Sequence, residues 1–235
     1  MLDELKRQVC QANLELVRRG LVVETFGNAS GVDRASGHVV IKPSGVPYEQ
    51  MKPKHMVVLS LQTGAVAEGE LRPSSDAPTH VELYRAFQSI GGIVHTHSLY
   101  ATAWAQARRE IPPLGTTHAD YFHGPVPLTR SLTVEEIQND YEANTGKVIV
   151  ERLAALDAAE FPAVLVFDHG PFVWGPDLER AVHNAVILEH LARLACETLR
   201  IEPYPRPLAP DLLEKHFRRK HGPDSYYGQK PGEKG

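Results

Sequence analysis

A chain of 235 residues can bury one sizeable core and is short for two. Its 42% apolar and 23% charged residues are ordinary globular values, and a net charge of −4 argues against a nucleic-acid binder, which would carry a basic excess. No apolar run approaches the roughly 20 residues that span a bilayer.

The N-terminus is charged from Asp3 onward and fits neither a secretory nor a transit signal. The two cysteines, Cys10 and Cys196, make neither a disulfide framework nor a thiolate metal site. A reducing cytoplasm is the expected setting, with no membrane and no nucleic acid as partner. The unusual count is 12 histidines, which form no tag-like run.

In chain order, Leu2, Leu5, Val9, Ala12 and Leu16 recur at helical spacing and predict an amphipathic first helix ending at Gly20. The stretches LVVETFGNASGVD, HVVIKPSG and MVVLSLQTGAVAEG then read as short β-branched strands separated by turn residues. THVELYRAFQSI predicts a helix, GGIVHTHS a strand and LYATAWAQARR another helix. TTHADYFHGPVPLTR is irregular, and the segment after it turns helical. FPAVLVFDHGPFVWG reads as strand, tight turn, strand, and DLERAVHNAVILEHLARLACETLRI as a long helix. On that helix His183 and His190 are seven apart and predict a helix–helix contact. With no repeat and no linker, residues 1–229 form one expected domain and 230–235 a frayed tail. Alternating helices with hairpin-joined strands predict a mixed sheet covered by helices.

The sharpest local signal is His95-Thr96-His97. Residues i and i+2 of a strand share a face, so two imidazoles there can grip one divalent ion at about 2.0–2.1 Å. Alone, the pair is a weak signal that fits two partly buried structural histidines better than a metal. His169, in a Gly-Pro turn after an apolar strand, is the candidate third ligand, with Asp76 as an acidic neighbour. Three histidines leave an open coordination position, as catalytic zinc sites do. Three small-residue turns, 27–30, 42–45 and 73–76, offer hydroxyl and N–H donors to an anion, with Lys42 as a nearby cation. His80, His118, His216 and His221 could approach a site, but position alone does not place them.

TFGNASGVD, IKPSGVPYEQM, PSSDAPTHVELYRAF, IGGIVHTHSLYAT, GTTHADYFHGPVPLTR, HGPFVWG and HGPDSYYGQ together resemble, in order, the L-ribulose-5-phosphate 4-epimerases. These belong to the class II aldolase family, which also holds fuculose- and rhamnulose-phosphate aldolases. The resemblance implies a three-layer α/β/α fold around a mixed, largely antiparallel sheet. It also implies a cyclic homotetramer with active sites between subunits, and a role in carbohydrate metabolism by the arabinose or the ascorbate route, which share this reaction.

Carried over by position, the resemblance makes His95, His97 and His169 the Zn²⁺-site histidines, with Asp76 counted in the same metal site and Mn²⁺ or Co²⁺ able to substitute. Asp76 stands beside them, where the aldolases have a glutamate base. Gly27, Asn28, Ser44, Gly45, Ser74 and Ser75 match substrate and phosphate contacts. Asp120 and Tyr227 match proton-transfer residues supplied by the adjacent subunit. The aspartate of PSSD and the YYGQ ending favour the epimerase over an aldolase.

The implied reaction suits those residue types. The C4–H of a ketopentose phosphate is too weak an acid for direct inversion, whereas C3–C4 can break in a retro-aldol step if the enediolate is stabilised by a Lewis acid. Turning the aldehyde and re-adding inverts C4, and the proton must leave on one face and return on the other, which asks for two acid/base groups. The competing readings are an aldolase or lyase acting on another sugar phosphate, a non-catalytic adducin-like domain, and a generic zinc hydrolase. Adducin heads lack the metal histidines, and a hydrolase would need an H-x-D-H pattern that is absent after the pair.

Overall fold

A computed structural model describes residues 2–223, 225 and 226. Seven strands form one sheet: β1 (Asn28–Asp33), β2 (His38–Ile41), β3 (Val57–Ser60), β4 (Val66–Glu68), β5 (Gly92–His95), β6 (Ala163–Leu165) and β7 (Pro171–Gly175). Their order is β4-β3-β2-β1-β5-β7-β6. Every ladder is antiparallel, so the expected mixed sheet is more uniform than its sequence suggested. Among the described residues, parallel pairing is confined to a single bridge, Leu128 to Leu165.

The helices are α1 (Leu2–Arg18), α2 (Ala77–Ala86), α3 (Leu99–Gln106), α4 (Thr116–Ala119), α5 (Val134–Gln138), α6 (Tyr141–Leu153), α7 (Leu178–Ile201) and α8 (Pro210–His221). Alternation along β1 assigns the layers. Gly31 faces the Leu5 and Leu178 side chains of α1 and α7, while Ser30 bonds His80 and Tyr84 of α2 on the opposite face. Helix α6 packs on α2. The result is the α/β/α arrangement, with one continuous apolar cluster running from Val9 through Ile41, Ile93 and Trp174 to Ala195. Among the described residues no helix is long and apolar enough to cross a membrane.

Three sequence expectations change in detail. Leu21–Val23 is not strand, because a turn from Val23 to Phe26 intervenes before β1. Strand β5 ends at His95, so His97 lies two residues beyond it. His183 and His190 are both exposed. Helix α7 buries Leu178, Ala181, Val182, Ala185, Leu188 and Ala192 instead, so these histidines sit outside its packed stripe. The His183 ring faces Tyr121, centroids 5.8 Å apart.

The registers locate the site. Asn28 at the start of β1 pairs with His95 at the end of β5, and His95 pairs with Phe172 near the start of β7. Three adjacent central strands therefore deliver their ends to one place.

Candidate metal centre

His95, His97 and His169 converge there, with one ring nitrogen of each inside a 4.8 Å cluster. His95 is buried, stacked on Phe172 with centroids 4.2 Å apart and planes 17° apart. Its Nδ1 lies 2.9 Å from the Pro171 carbonyl oxygen. A carbonyl only accepts, so Nδ1 carries the proton and Nε2 presents its lone pair. That Nε2 lies 3.1 Å from Nε2 of His97. Two ligands held about 2.0–2.1 Å from one tetrahedral ion stand roughly 3.3 Å apart. The site thus fits a divalent ion by geometry and by donor chemistry, since imidazole suits Zn²⁺.

The loss of strand geometry after His95 does not separate the pair, because the loop turns His97 back onto it. His169 comes from the β6–β7 turn. That turn packs so closely on the His95–His97 loop that a Cβ at Gly170 would stand 2.9 Å from the Thr96 carbonyl oxygen. Only glycine permits this approach. Burial lowers the His169 pKa to about 4, with His95 and His97 adding to it, and partial desolvation lowers that of His97 as well. Neutral imidazole is the ligating form.

Asp76 stands beside the cluster, its Oδ2 4.0 Å from Nε2 of His95. Burial raises its pKa, but the imidazoles of His95 and His80 and the N–H of Asn28 pull it below the ordinary carboxyl value. The Asn28 amide donates to Asp76 Oδ2 at 2.7 Å and to Ser74 Oγ at 3.1 Å. Its own Oδ1 is buried without a partner among the described residues, an acceptor available to a donor brought by a ligand. Gly27 has φ of 104°, and its absent side chain lets it lie against the His95 carbonyl.

The turns predicted to hold an anion meet in space. Ser74 N–H donates to the Lys42 carbonyl, Ser44 N–H donates to the Arg72 carbonyl, and Pro43 bridges Pro73. Ser44, Gly45 and Ser75 are exposed on this lip, whereas Ser74 is buried. Lys42 is buried over the Tyr48 ring, 4.8 Å from its centroid, and burial lowers its pKa.

Asp120 lies elsewhere in the chain, at the end of α4. Its carboxylate accepts two bonds at 3.0 Å from Nη2 of Arg219, and Nδ1 of His216 stands 3.0 Å from Oδ1. His221 donates through Nε2 to the Asp120 carbonyl at 2.8 Å. The described partners of the Asp120 carboxylate are thus residues of α8, not the three histidines. Tyr227 lies outside the described residues. The remaining histidines separate cleanly: His80 is buried against Ser30, and His118 bonds the Gly124 carbonyl. Sequence reasoning missed Tyr141, whose hydroxyl is 3.4 Å from His169 Nδ1, because nothing in the spacing of residues 28 apart announces that contact.

Residues 7–196 match the family described as Class II Aldolase and Adducin N-terminal domain. An L-fuculose 1-phosphate aldolase superposes with a TM-score of 0.77 at 25% identity, covering 92% of this chain and 95% of that one. YgbL from Klebsiella pneumoniae, provisionally described as an aldolase, epimerase or decarboxylase, superposes at 0.73 and 27% identity over 92% and 98% of the two chains. L-fuculose-1-phosphate aldolase from Thermus thermophilus shares the fold at 0.66 and 24% identity, over 87% and 100%.

Proposed function

The chain belongs to the class II aldolase and adducin N-terminal domain family, and from that premise we propose that it is a divalent-metal-dependent L-ribulose-5-phosphate 4-epimerase. It interconverts L-ribulose 5-phosphate and D-xylulose 5-phosphate, as a cytoplasmic homotetramer with sites at subunit boundaries. The observation that carries the reading is the convergence of His95, His97 and His169 beside the Asn28–Asp76–Ser74 network. Zn²⁺ bound there would supply Lewis-acid stabilisation of negative charge developing on neighbouring substrate oxygens.

The chain's own residues do the rest. The lip formed by Ser44, Gly45, Ser74 and Ser75, with Gly27 and Asn28, binds the phosphate end through hydroxyl and N–H donors. Asp76 stays ionised beside the reacting carbons and fixes the Asn28 amide. Of Asp120 and Tyr227, both contributed by the neighbouring subunit, one takes the C4 hydroxyl proton as C3–C4 breaks, the bond's electron pair staying with the three-carbon fragment. After the aldehyde turns, C3–C4 forms on its other face, and the other residue returns the proton.

The second reading is a lyase that releases its two fragments. The likeness to an L-fuculose 1-phosphate aldolase favours it, while Asp76 in place of a glutamate and the YYGQ ending weigh against it. Incubating Zn²⁺-loaded protein with L-ribulose 5-phosphate separates the two. Accumulation of D-xylulose 5-phosphate in a coupled assay supports the epimerase. Glycolaldehyde phosphate as the main product supports the lyase.

A further inference from the structure

Helix α3 begins two residues after His97 and ends beside the turn that carries His169, and it is anchored at both ends by charged groups that the reaction does not use. At its start, Ser98 makes no side-chain cap. The carboxylate of Glu189, on α7, replaces it: Oε1 accepts from Tyr100 N–H at 2.8 Å and Oε2 from Ala101 N–H at 2.9 Å. An anion at a helix N-terminus satisfies orphan donors and opposes the helix dipole. Trp104 adds a bond from its indole N–H to the Ala192 carbonyl of α7 at 3.0 Å.

At the other end, Arg108 and Asp168 form a two-pronged ion pair, 2.9 Å from Nε to Oδ1 and 3.2 Å from Nη2 to Oδ2. Asp168 is the residue immediately before His169. Its N–H also donates to the Ala105 carbonyl of α3 at 3.2 Å. Both partners have left-handed backbones, φ of 59° for Arg108 and 60° for Asp168. Such conformations persist only where the surroundings over-determine them. The Arg108 guanidinium also covers the Phe167 ring, 5.0 Å from its centroid. An exposed ion pair alone contributes little, but this one closes a turn already tied to α3 by backbone.

We propose that α3 is a brace that fixes the spacing between the His95–His97 pair and His169, with Glu189, Arg108 and Asp168 as positioning residues for metal binding. The inference rests on the metal reading above. Groups that orient metal ligands without touching the ion typically change affinity by about 10- to 100-fold. Glu189 grips the main chain leading directly from His97, so Glu189→Ala should weaken metal binding by about that factor, and Glu189→Gln, which keeps one acceptor, should recover part of it. Asp168→Asn tolerates the left-handed backbone while removing the ion pair, and Arg108→Ala removes it from the other side. Each should weaken binding by several-fold, with Arg108→Lys intermediate.

The test titrates metal-free wild-type protein and each variant with Co²⁺ alone, reading affinity by chelator competition and geometry by the visible d–d band. His97→Asn serves as control, and circular dichroism monitors the fold. Weaker affinity together with a displaced or weakened band, in protein of native helicity, supports the brace. Wild-type affinity and an unchanged band in Asp168→Asn and Arg108→Ala, whose side chains are exposed, overturn it even if Glu189→Ala fails to fold. If the wild type shows no d–d band that His97→Asn removes, the metal reading fails and the brace falls with it.

Discussion

His95 and Pro171 are joined across the β5–β7 ladder by a ring N–H that donates to a main-chain carbonyl at 2.9 Å. The bond fixes the tautomer of His95 and aims its free nitrogen at His97. It also makes His95 a core residue as well as a candidate ligand, buried against Phe172, whereas His97 sits exposed on the loop.

The two histidines should therefore fail differently. His95→Ala should cost about 2 kcal/mol or more of stability in metal-free protein, from the lost ring packing and the orphaned carbonyl. His97→Asn should unfold within about 0.5 kcal/mol of wild type. Both should lose the metal and its activity. Denaturant unfolding after chelation, with elemental analysis after reloading, measures each half. Full metal retention by His97→Asn would refute its role as a ligand.

The anion lip offers a contrast of the same kind. Ser75 is exposed, while Asn28 holds Ser74 and Asp76 together. Ser75→Ala should raise KM for the sugar phosphate with unchanged Tm. One hydrogen bond to a charged group is worth about 1.5–3 kcal/mol, or roughly 10- to 150-fold in affinity. Asn28→Ala should raise KM and also lower kcat, because it releases the Asp76 carboxylate. Equal turnover of unphosphorylated L-ribulose would remove the phosphate role from this lip.

Much of this arrangement is legible in the sequence, for identifiable reasons. Helical spacing from Leu2 to Leu16 and β-branched runs such as HVVI are local patterns, and the elements form where those patterns lie. His95, His97 and His169 could be grouped because the first two stand at i and i+2 in an apparent strand and the third follows an apolar strand. What periodicity could not convey is pairing at a distance. Nothing marks Glu189 as the cap of a helix some 90 residues earlier, or Arg219 as the partner of Asp120. The His183–His190 pair misled for the same reason: a shared helix face says nothing about which face is packed. Strand β5 stops short at His95 because Thr96 and His97 must leave the sheet to meet the Gly170 turn.

Acid stability should report on His118. It is buried, donates through Nε2 to the Gly124 carbonyl at 2.7 Å, and burial lowers its pKa to about 4 from an ordinary 6.5. Between these values the unfolded chain holds the proton and the folded chain does not, so folding loses stability as pH falls. The contribution is fully present above about pH 6.5 and has gone by about pH 4. A displacement of that size corresponds to about 3 kcal/mol. Metal-free His118→Phe should be less stable at pH 7 for lack of the hydrogen bond, yet lose less on acidification than wild type. Parallel unfolding series at pH 7, 5.5 and 4.5 give the comparison, and identical slopes would contradict a buried neutral His118.

Asp120 poses the sharpest question about where the site is completed. Its carboxylate is held by Arg219 and His216 on α8 of its own chain, at a distance from the histidines that no described contact bridges. If it serves the metal site of a neighbouring subunit, α8 is the element that aims it there. Asp120→Asn and Tyr227→Phe should each lower kcat by about 10²- to 10⁴-fold, the usual range for a lost acid or base, with metal content unchanged. If the two act on opposite faces, their effects differ between the forward and reverse reactions. Mixing then tests the geometry. Asp120→Asn chains and His97→Asn chains should each be nearly inactive alone. Dissociated and reassociated together, they should recover part of the wild-type rate, because some boundaries then join an intact metal half to an intact proton-transfer half. Were both defects in one subunit's site, every site in the mixture would keep a lesion and no activity would return. Recovery that scales with the fraction of mixed oligomers places Asp120 across the boundary; its absence, in mixtures shown to exchange subunits, returns Asp120 to its own chain.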